Sequence, residues 1–426
     1  MQLSAPLWII TIGALVAASC SLVGCFLILR RMAMLGDAIS HAVLPGIALA
    51  FLFTGSRNSF VMLLGAGILG MVTAFLVQLL TKNGGVRNDA AIGVTFTSLF
   101  AVGVVLISLY ASNVDLDLDC VLYGVIEYTP LYRLILAGRD FGPQAFWQMA
   151  AVFALVVTTV TLLFKELKIA AFDPEMATAV GINATLLHYI LMGLVSVTTV
   201  GAFEPVGAIL VVAMLVVPPA TAYLLTDDLK KMLFIAVTSG VLSSILGYFL
   251  AQWLDASTAG AMTIIAGAQF ALALGFSPRH GIVPKRRAQK RLSREVGRED
   301  VLQVLFRHGE GSGDAKPLDA VGVAALARIE IGAASQSLQG LRRAGLVEGQ
   351  NGGFALSAQG RKAAGELVHR HRVYESYLGE LGYPEDHLHD AADRAEHYLS
   401  ASLVEVVDEA AGNPQIDPHG RAIPHD

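Results

Sequence analysis

Through residue 278 the chain alternates long apolar runs with short polar connections. Runs fall near 7–29, 38–55, 60–81, 90–110, 145–165, 186–203, 206–225, 231–252 and 259–276, each close to the ~20 apolar residues that cross a bilayer as a helix. Only Glu204-Pro205 separates 186–203 from 206–225, so the pair also reads as one interrupted element and the count is eight or nine. Arg30, Arg31, Lys82, Arg87, Lys165, Lys168, Lys230, Lys231 and Arg279 lie on alternate connections, and the lighter set Arg57, Arg133 and Arg139 on the others. The bias of basic residues toward the cytoplasm makes the first set internal. Nine crossings then put the N-terminus outside and everything beyond 278 in the cytoplasm. No basic stretch or small-residue cleavage site marks the first run as a leader, so it is expected to be a retained span.

From about 297 the periodicity becomes that of a soluble helical domain. Val301, Leu302, Val304 and Leu305 make Glu299–His308 amphipathic. Leu318–Ile329 and Ala333–Arg343 flank a Glu330–Gly332 turn in the manner of a helix-turn-helix. Asn351-Gly352 between apolar runs signals a hairpin. Two longer helices, about 358–381 and 385–411, complete the pattern. The predicted fold is an all-α polytopic membrane domain of 8–9 transmembrane helices (1–278), a polybasic juxtamembrane linker (279–296), and a cytoplasmic winged helix with a helical metal-binding and dimerisation part (297–426).

Composition sharpens this division. Only 15% of the 426 residues are charged, against roughly 25% in soluble domains, and eight of the eleven histidines lie beyond residue 300. Cys20, Cys25 and Cys120 form no disulfide or metal-binding framework. The run Lys285-Arg286-Arg287…Lys290-Arg291 suits contact with anionic membrane lipid.

Ionisable groups near the apolar runs mark the candidate chemistry. Asp37 and His41 sit four residues apart at the start of the second run, on one helical face. Such groups are costly in a bilayer and point to function, and carboxylate with imidazole suits manganese, iron or zinc. The alternative is a capping aspartate and a packing histidine. Glu204 is a further possible cation ligand or an outer turn residue, and Asp115, Asp117 and Asp119 form an acidic outer loop or a lip that attracts dications. Asp173-Pro174-Glu175 reads as a helix start and Gly181 as its stop, giving a short helix suited to docking a soluble partner. The chain has no Gly-Lys dipeptide and so no phosphate-binding loop of the Walker type. It is not expected to be an enzyme.

The stretch Arg30–Gly46, with Val86–Ser108, Phe172–Asn183 and Ala202–Thr226, resembles the permease subunits of metal-ion (manganese, zinc or iron) ABC importers over the first two thirds of the chain. The resemblance implies a multi-pass protein of the bacterial plasma (inner) membrane. It also implies a separate ATP-binding subunit, an extracytoplasmic metal-binding protein and a second permease subunit as partners. Asp37 and His41 would then contact the ion in transit. Phe172, Asp173, Pro174, Glu175 and Gly181 would form the helix that couples to the ATPase. The Leu-Phe-Gly-like turn of that family appears as Leu122-Tyr123-Gly124, followed by an unusual Glu127.

In the tail, Asp393, Glu396 and His397 follow an i, i+3, i+4 pattern, His389 lies one turn before Asp393, and His371 and Glu375 form another i, i+4 pair. Two antiparallel helices could gather these groups around a metal ion; a solvated acidic face is the alternative. His369–Glu375, Leu388–His397 and the closing Gly412–Pro424 resemble the iron- and manganese-dependent (diphtheria toxin repressor-like) repressors. The resemblance implies one metal site from His371, Asp393, Glu396 and His397, an ancillary site from His371, Glu375 and His389, and a ligand from Asp300. Gln303 stands where manganese-sensing members have glutamate. Oxygen and imidazole donors without sulfur favour manganese, with iron or zinc as alternatives. Few side chains of Ala333–Arg343 could read bases, so DNA is not an expected partner. Rival readings are a membrane-tethered metal-dependent transcriptional regulator and a secondary transporter independent of ATP.

Overall fold

The computed structural model describes residues 4–54, 59–110, 126–136, 139–278, 280–310, 317–350 and 352–424. Asp115, Asp117, Asp119 and Leu122-Tyr123-Gly124 lie outside the described residues. The chain divides into two compact units at Pro284/Lys285, six residues beyond the membrane-domain limit read from the sequence.

The first unit is a helical bundle: α1 (Ala5–Leu29), α2 (Met34–Thr54), α3 (Ser59–Lys82), α4 (Asn88–Tyr110), a 3-10 turn (Ile126–Leu131), a hairpin of β1 (Arg133–Leu136) and β2 (Arg139–Pro143), then α5 (Gln144–Leu162), α6 (Phe164–Phe172), α7 (Pro174–Ala179), α8 (Ala184–Leu225), α9 (Leu229–Leu254) and α10 (Thr258–Phe276). Among the described residues, eight helices are long and apolar enough to span a membrane. α1 and α8 supply much of the buried centre, with Val16, Val23 and Phe26 packed among Leu210, Val211 and Met214. The sequence pattern predicts neither the 3-10 turn nor the hairpin.

α8 is 42 residues long. A straight helix of that length would measure about 63 Å, twice the ~30 Å hydrocarbon thickness. It does not run straight. Gly207, with φ 76° and ψ 165°, leaves helical geometry, in a region where a side chain would be strained. His188, near the start of α8, lies 3.4 Å from Arg30 at the end of α1. Leu215 and Pro219, in its second half, crowd Gly24 so closely that a Cβ there would stand 1.9 Å from the Leu215 carbonyl oxygen. At the opposite end, Gln148 Nε2 donates to the Gly201 carbonyl at 3.0 Å. The two limbs of α8 therefore run antiparallel, so this one candidate span holds two helical passes. The reversal falls at Gly207 rather than at Glu204-Pro205, because the turn needs positive φ, which proline cannot adopt. Glu204 is exposed just before the break.

Basic residues gather at one end of the bundle. Lys230 stacks 5.8 Å over the Phe164 ring, close to where Ser277 donates to the Leu224 carbonyl. The other end holds Trp8 against Phe146, with ring centroids 5.2 Å apart. There Glu127 accepts the Thr258 backbone N–H at 2.8 Å, satisfying a first-turn amide of α10 beside the cap residue Ser257.

The second unit contains most of α11 (Ile282–Gly309), then α12 (Ala320–Ala327), α13 (Ile331–Arg343), β3 (Val347–Gln350), β4 (Gly353–Leu356), α14 (Ala358–Glu380), α15 (Glu385–Ala395) and α16 (Ala401–Ala410). The strands pair antiparallel around Gly352, whose φ is 82°. Val301, Leu305, Val323, Leu338, Leu341, Val347, Ala364 and Leu367 form the core of the winged helix. α11 begins at Ile282, since Lys, Arg, Gln, Ala and Leu are good helix formers even without an apolar face. One sequence expectation is corrected. The long helix predicted over 385–411 is two helices, because Ser400 caps a new one by accepting the Leu403 N–H at 3.3 Å.

Candidate metal centre

α14 carries His371 and Glu375 one turn apart, and both are withdrawn from solvent, with 2% and 1% exposure. α15 supplies His389 and Asp393. The turn after it supplies Glu396, 1% exposed, and His397. α11 contributes Glu299, Asp300 and Gln303 from the opposite side. α15 ends at Ala395, but Glu396 keeps helical backbone angles and its N–H bonds to the Ala392 carbonyl at 3.0 Å, so Glu396 and His397 follow on from the helix.

His371 is the hub. Its Nδ1 lies 2.6 Å from Glu396 Oε2 and 3.3 Å from Asp393 Oδ1. Its Nε2 lies 3.0 Å from Glu375 Oε1 and 3.1 Å from His389 Nδ1. His389 Nδ1 is also 2.8 Å from Glu375 Oε1. On the α11 side, His397 Nε2 lies 3.2 Å from Asp300 Oδ1 and 3.4 Å from Glu396 Oε1, and its Nδ1 is 2.7 Å from Glu299. Gln303 donates to Glu396 Oε1 at 2.7 Å, so it orients the carboxylate from a place where an acid would compete for the metal.

Among the described residues, His371, His389 and Asp393 form one group, and Asp300, Glu396 and His397 another, whose donor atoms lie within 4.8 Å of one another. Ligands about 2.1 Å from a shared ion sit roughly 3 Å apart, so both groups fit a divalent cation. Burial alone would lower the His371 imidazole, but hydrogen bonds to Glu375 and Glu396 outweigh it and raise its pKa to about 9. Burial would raise Glu375, yet His371 and His389 hold it down to about 2. Burial likewise opposes the charge on His397, while Asp300 and Glu299 push it up to about 10. Protons thus occupy the place a cation would take.

Two residues missed in the sequence complete the surroundings. Glu299 pairs with His397, as above. His419 Nε2 lies 3.8 Å from Glu375 Oε1, brought there by the closing segment. Arg372, 2% exposed, anchors that segment through the Ala422 carbonyl at 2.6 Å and Asp417 at 3.4 Å, and grips Glu310 with both terminal nitrogens at 2.8 and 2.6 Å.

In the membrane unit, Asp37 lies within the first turn of α2 and is half-buried. It is inside the helix and does not cap it. The backbone of His41 follows one turn later; its side chain lies outside the described residues. The segment around α7 is built as its residues dictate. Asp173 caps α7 by accepting the Met176 N–H at 2.9 Å, Pro174 occupies the first helical position, and Gly181 ends the turn at φ 89°. Phe172, Met176 and Val180 are 58%, 58% and 63% exposed, and Glu175 is exposed beside them.

Residues 3–277 match the ABC 3 transport family, and residues 357–425 match the metal binding and dimerisation domain of the iron dependent repressors. The manganese transport system membrane protein MntD of Bacillus subtilis is 53% identical over 279 residues, covering 66% of this chain and 94% of that protein. The zinc transport system membrane protein TroD of Treponema pallidum is 42% identical over 275 residues, covering 65% of this chain and 75% of that one. The structure of PsaBC from Streptococcus pneumoniae in complex with Fab aligns with a TM-score of 0.55 at 32% identity, over 66% of this chain and 94% of the matched one. A family match over residues 3–277, on a bundle whose described residues hold eight candidate spans, decides the matter: the chain belongs to the ABC 3 transport family and carries behind its membrane domain a metal-dependent-repressor-like domain.

Proposed function

We propose that this chain is the permease subunit of an ATP-driven importer of manganese, with a cytoplasmic tail that senses the same metal. Its partners are an ATP-binding subunit, an extracytoplasmic metal-binding protein and a second permease subunit. The 53% identity to a manganese transport membrane protein supports the cargo. The observation that carries the combined reading is that donors scattered from Asp300 to His397 gather into two adjoining groups, linked where Glu396 meets His371, in a chain whose first two thirds belong to a transporter family. Asp37 and His41 contact the ion in transit, and the exposed face of α7 receives the ATP-binding subunit. In the tail, His371, His389 and Asp393 hold one metal ion with Glu375 beside them, and Asp300, Glu396 and His397 hold a second, a grouping different from the His371, Asp393, Glu396, His397 and His371, Glu375, His389 sets expected from the sequence. A bound dication would neutralise the acidic cluster; the protein's part is to orient the donors, through Gln303 and Glu299 among others.

Filling of the tail site by cytosolic metal inhibits import. Uptake of manganese, iron and zinc into vesicles holding the complete transporter and ATP tests the cargo: manganese should enter fastest, and no ATP-dependent uptake of any of the three would sink the reading. His397→Ala should leave uptake intact and blunt inhibition by internal manganese; unchanged inhibition would remove the sensing role.

A further inference from the structure

Two arginines close α1, and the transport reading uses neither. Arg30 is the C-cap residue and Arg31 follows at φ 56°. The Met32 N–H bonds to the Leu27 carbonyl at 2.8 Å and the Arg31 N–H to the Ile28 carbonyl at 2.9 Å. This doubly bonded stop normally places glycine in the left-handed position. Here a side chain is held in that conformation, which fixes the backbone from which Arg30 projects.

The guanidinium of Arg30 reaches two other elements. Its Nη2 donates to the Ala170 carbonyl at 3.3 Å and its Nη1 to His188 Nδ1 at 3.4 Å. Ala170 lies in the last turn of α6, where carbonyls lack helical partners; the Asp173 N–H bonds instead to Ile169 at 2.8 Å. His188 lies at the start of α8. Between these two contacts the chain holds all of α7 with its cap Asp173 and its stop Gly181. One side chain of α1 therefore fastens both the element that enters α7 and the element that leaves it. α1 in turn packs along the far limb of α8, where Ser21 Oγ donates to the Met214 carbonyl at 3.4 Å and Gly24 meets Leu215 without room for a methyl group.

We propose that Arg30 is the positioning residue that transmits movement of α7 to the membrane spans. The clamp makes α6, the start of α8 and the end of α1 move together, so a push on the exposed face of α7 reaches both limbs of α8. Without it the push would be absorbed by the turns at Asp173 and Gly181. The contacts are made by a fixed positive charge with a planar fork, which lysine cannot reproduce at both acceptors.

This inference rests on the permease reading, and the experiment separates the two. The full chain is reconstituted with the ATP-binding subunit of its transporter, and manganese ions taken up per ATP hydrolysed are measured. Arg30→Ala should keep the ATP-binding subunit bound and lower that ratio about tenfold, the scale of losing a charge-assisted hydrogen bond. Arg30→Lys should fall between the two. His188→Gln, which disturbs one arm only, should lower the ratio less and decides the matter if Arg30→Ala does not assemble. An unchanged ratio, or uptake and hydrolysis falling in proportion, would overturn the clamp. Failure of the wild-type chain to retain any ATP-binding subunit would count against the permease reading.

Discussion

Nδ1 of His371 and Oε2 of Glu396 lie 2.6 Å apart in a region nearly closed to water, joined across 25 residues. The contact ties α14 to the turn after α15 and leaves Glu375 on the opposite ring nitrogen at 3.0 Å. A buried histidine flanked by two carboxylates is stable only if positive charge sits among them, as a proton or as a metal ion.

Replacing His371 with Ala should remove the imidazole between Glu375 and Glu396, leaving the first with His389 and the second with Gln303 and His397. Removing one partner of such a buried group costs about 3–5 kcal/mol, and the hub donor is lost from the metal cluster. Manganese titrated calorimetrically into the full-length variant should bind to the tail at least about a hundredfold more weakly than into the wild type. Wild-type affinity in the variant would mean the cluster is an ion-pair network and not a metal site.

Metal removal supplies a second test. Manganese at a hundred times its dissociation constant should stabilise the tail by about 2.7 kcal/mol, and a chelator should reverse the shift. Hydrogen exchange of the full-length protein, followed in α11, α14 and the turn at Glu396, reads the effect locally. Protection that ignores manganese would contradict the assignment.

Arg372→Ala should destabilise the tail without touching a proposed ligand. It leaves Asp417, 6% exposed, without its guanidinium, at about 3–5 kcal/mol. The Asp417–Arg421 turn should loosen, and with it the approach of His419 to Glu375. Limited proteolysis should then cut between 412 and 424 in the variant and spare the wild type; equal resistance would refute the anchoring role.

Asp173→Ala removes the cap of α7, worth about 1 kcal/mol, from a six-residue helix with few other supports. Co-purification with the ATP-binding subunit should fall while insertion of the membrane domain is kept. Undiminished co-purification would show that docking does not depend on a formed α7.

Much of this was legible because the physics was local. Spans declare themselves by uncharged length, and the Asp173-Pro174…Gly181 segment carries its own start and stop. The reversal falls at Gly207 and not at the Glu204-Pro205 interruption, since a proline in sequence does not say which neighbour adopts positive φ. Asp393, Glu396 and His397 keep helical spacing through the turn and so hide the end of α15 in the sequence; Ser400 is the capping signal that marks the new helix. His419 could not be paired with Glu375 from sequence alone, because Arg372 and Asp417 bring it there from 44 residues away. Glu299 was read only as the start of a helix, and its contact with His397 arises from the packing of α11 across the cluster.

The most direct test of the transport claim is ATP-driven manganese uptake into vesicles by the assembled transporter, compared between the wild type, Asp37→Asn and His41→Ala. Both variants should retain the ATP-binding subunit and take up manganese at least about tenfold more slowly, as expected when a polar group in the membrane that touches the ion is lost. Wild-type uptake by both variants would contradict the account.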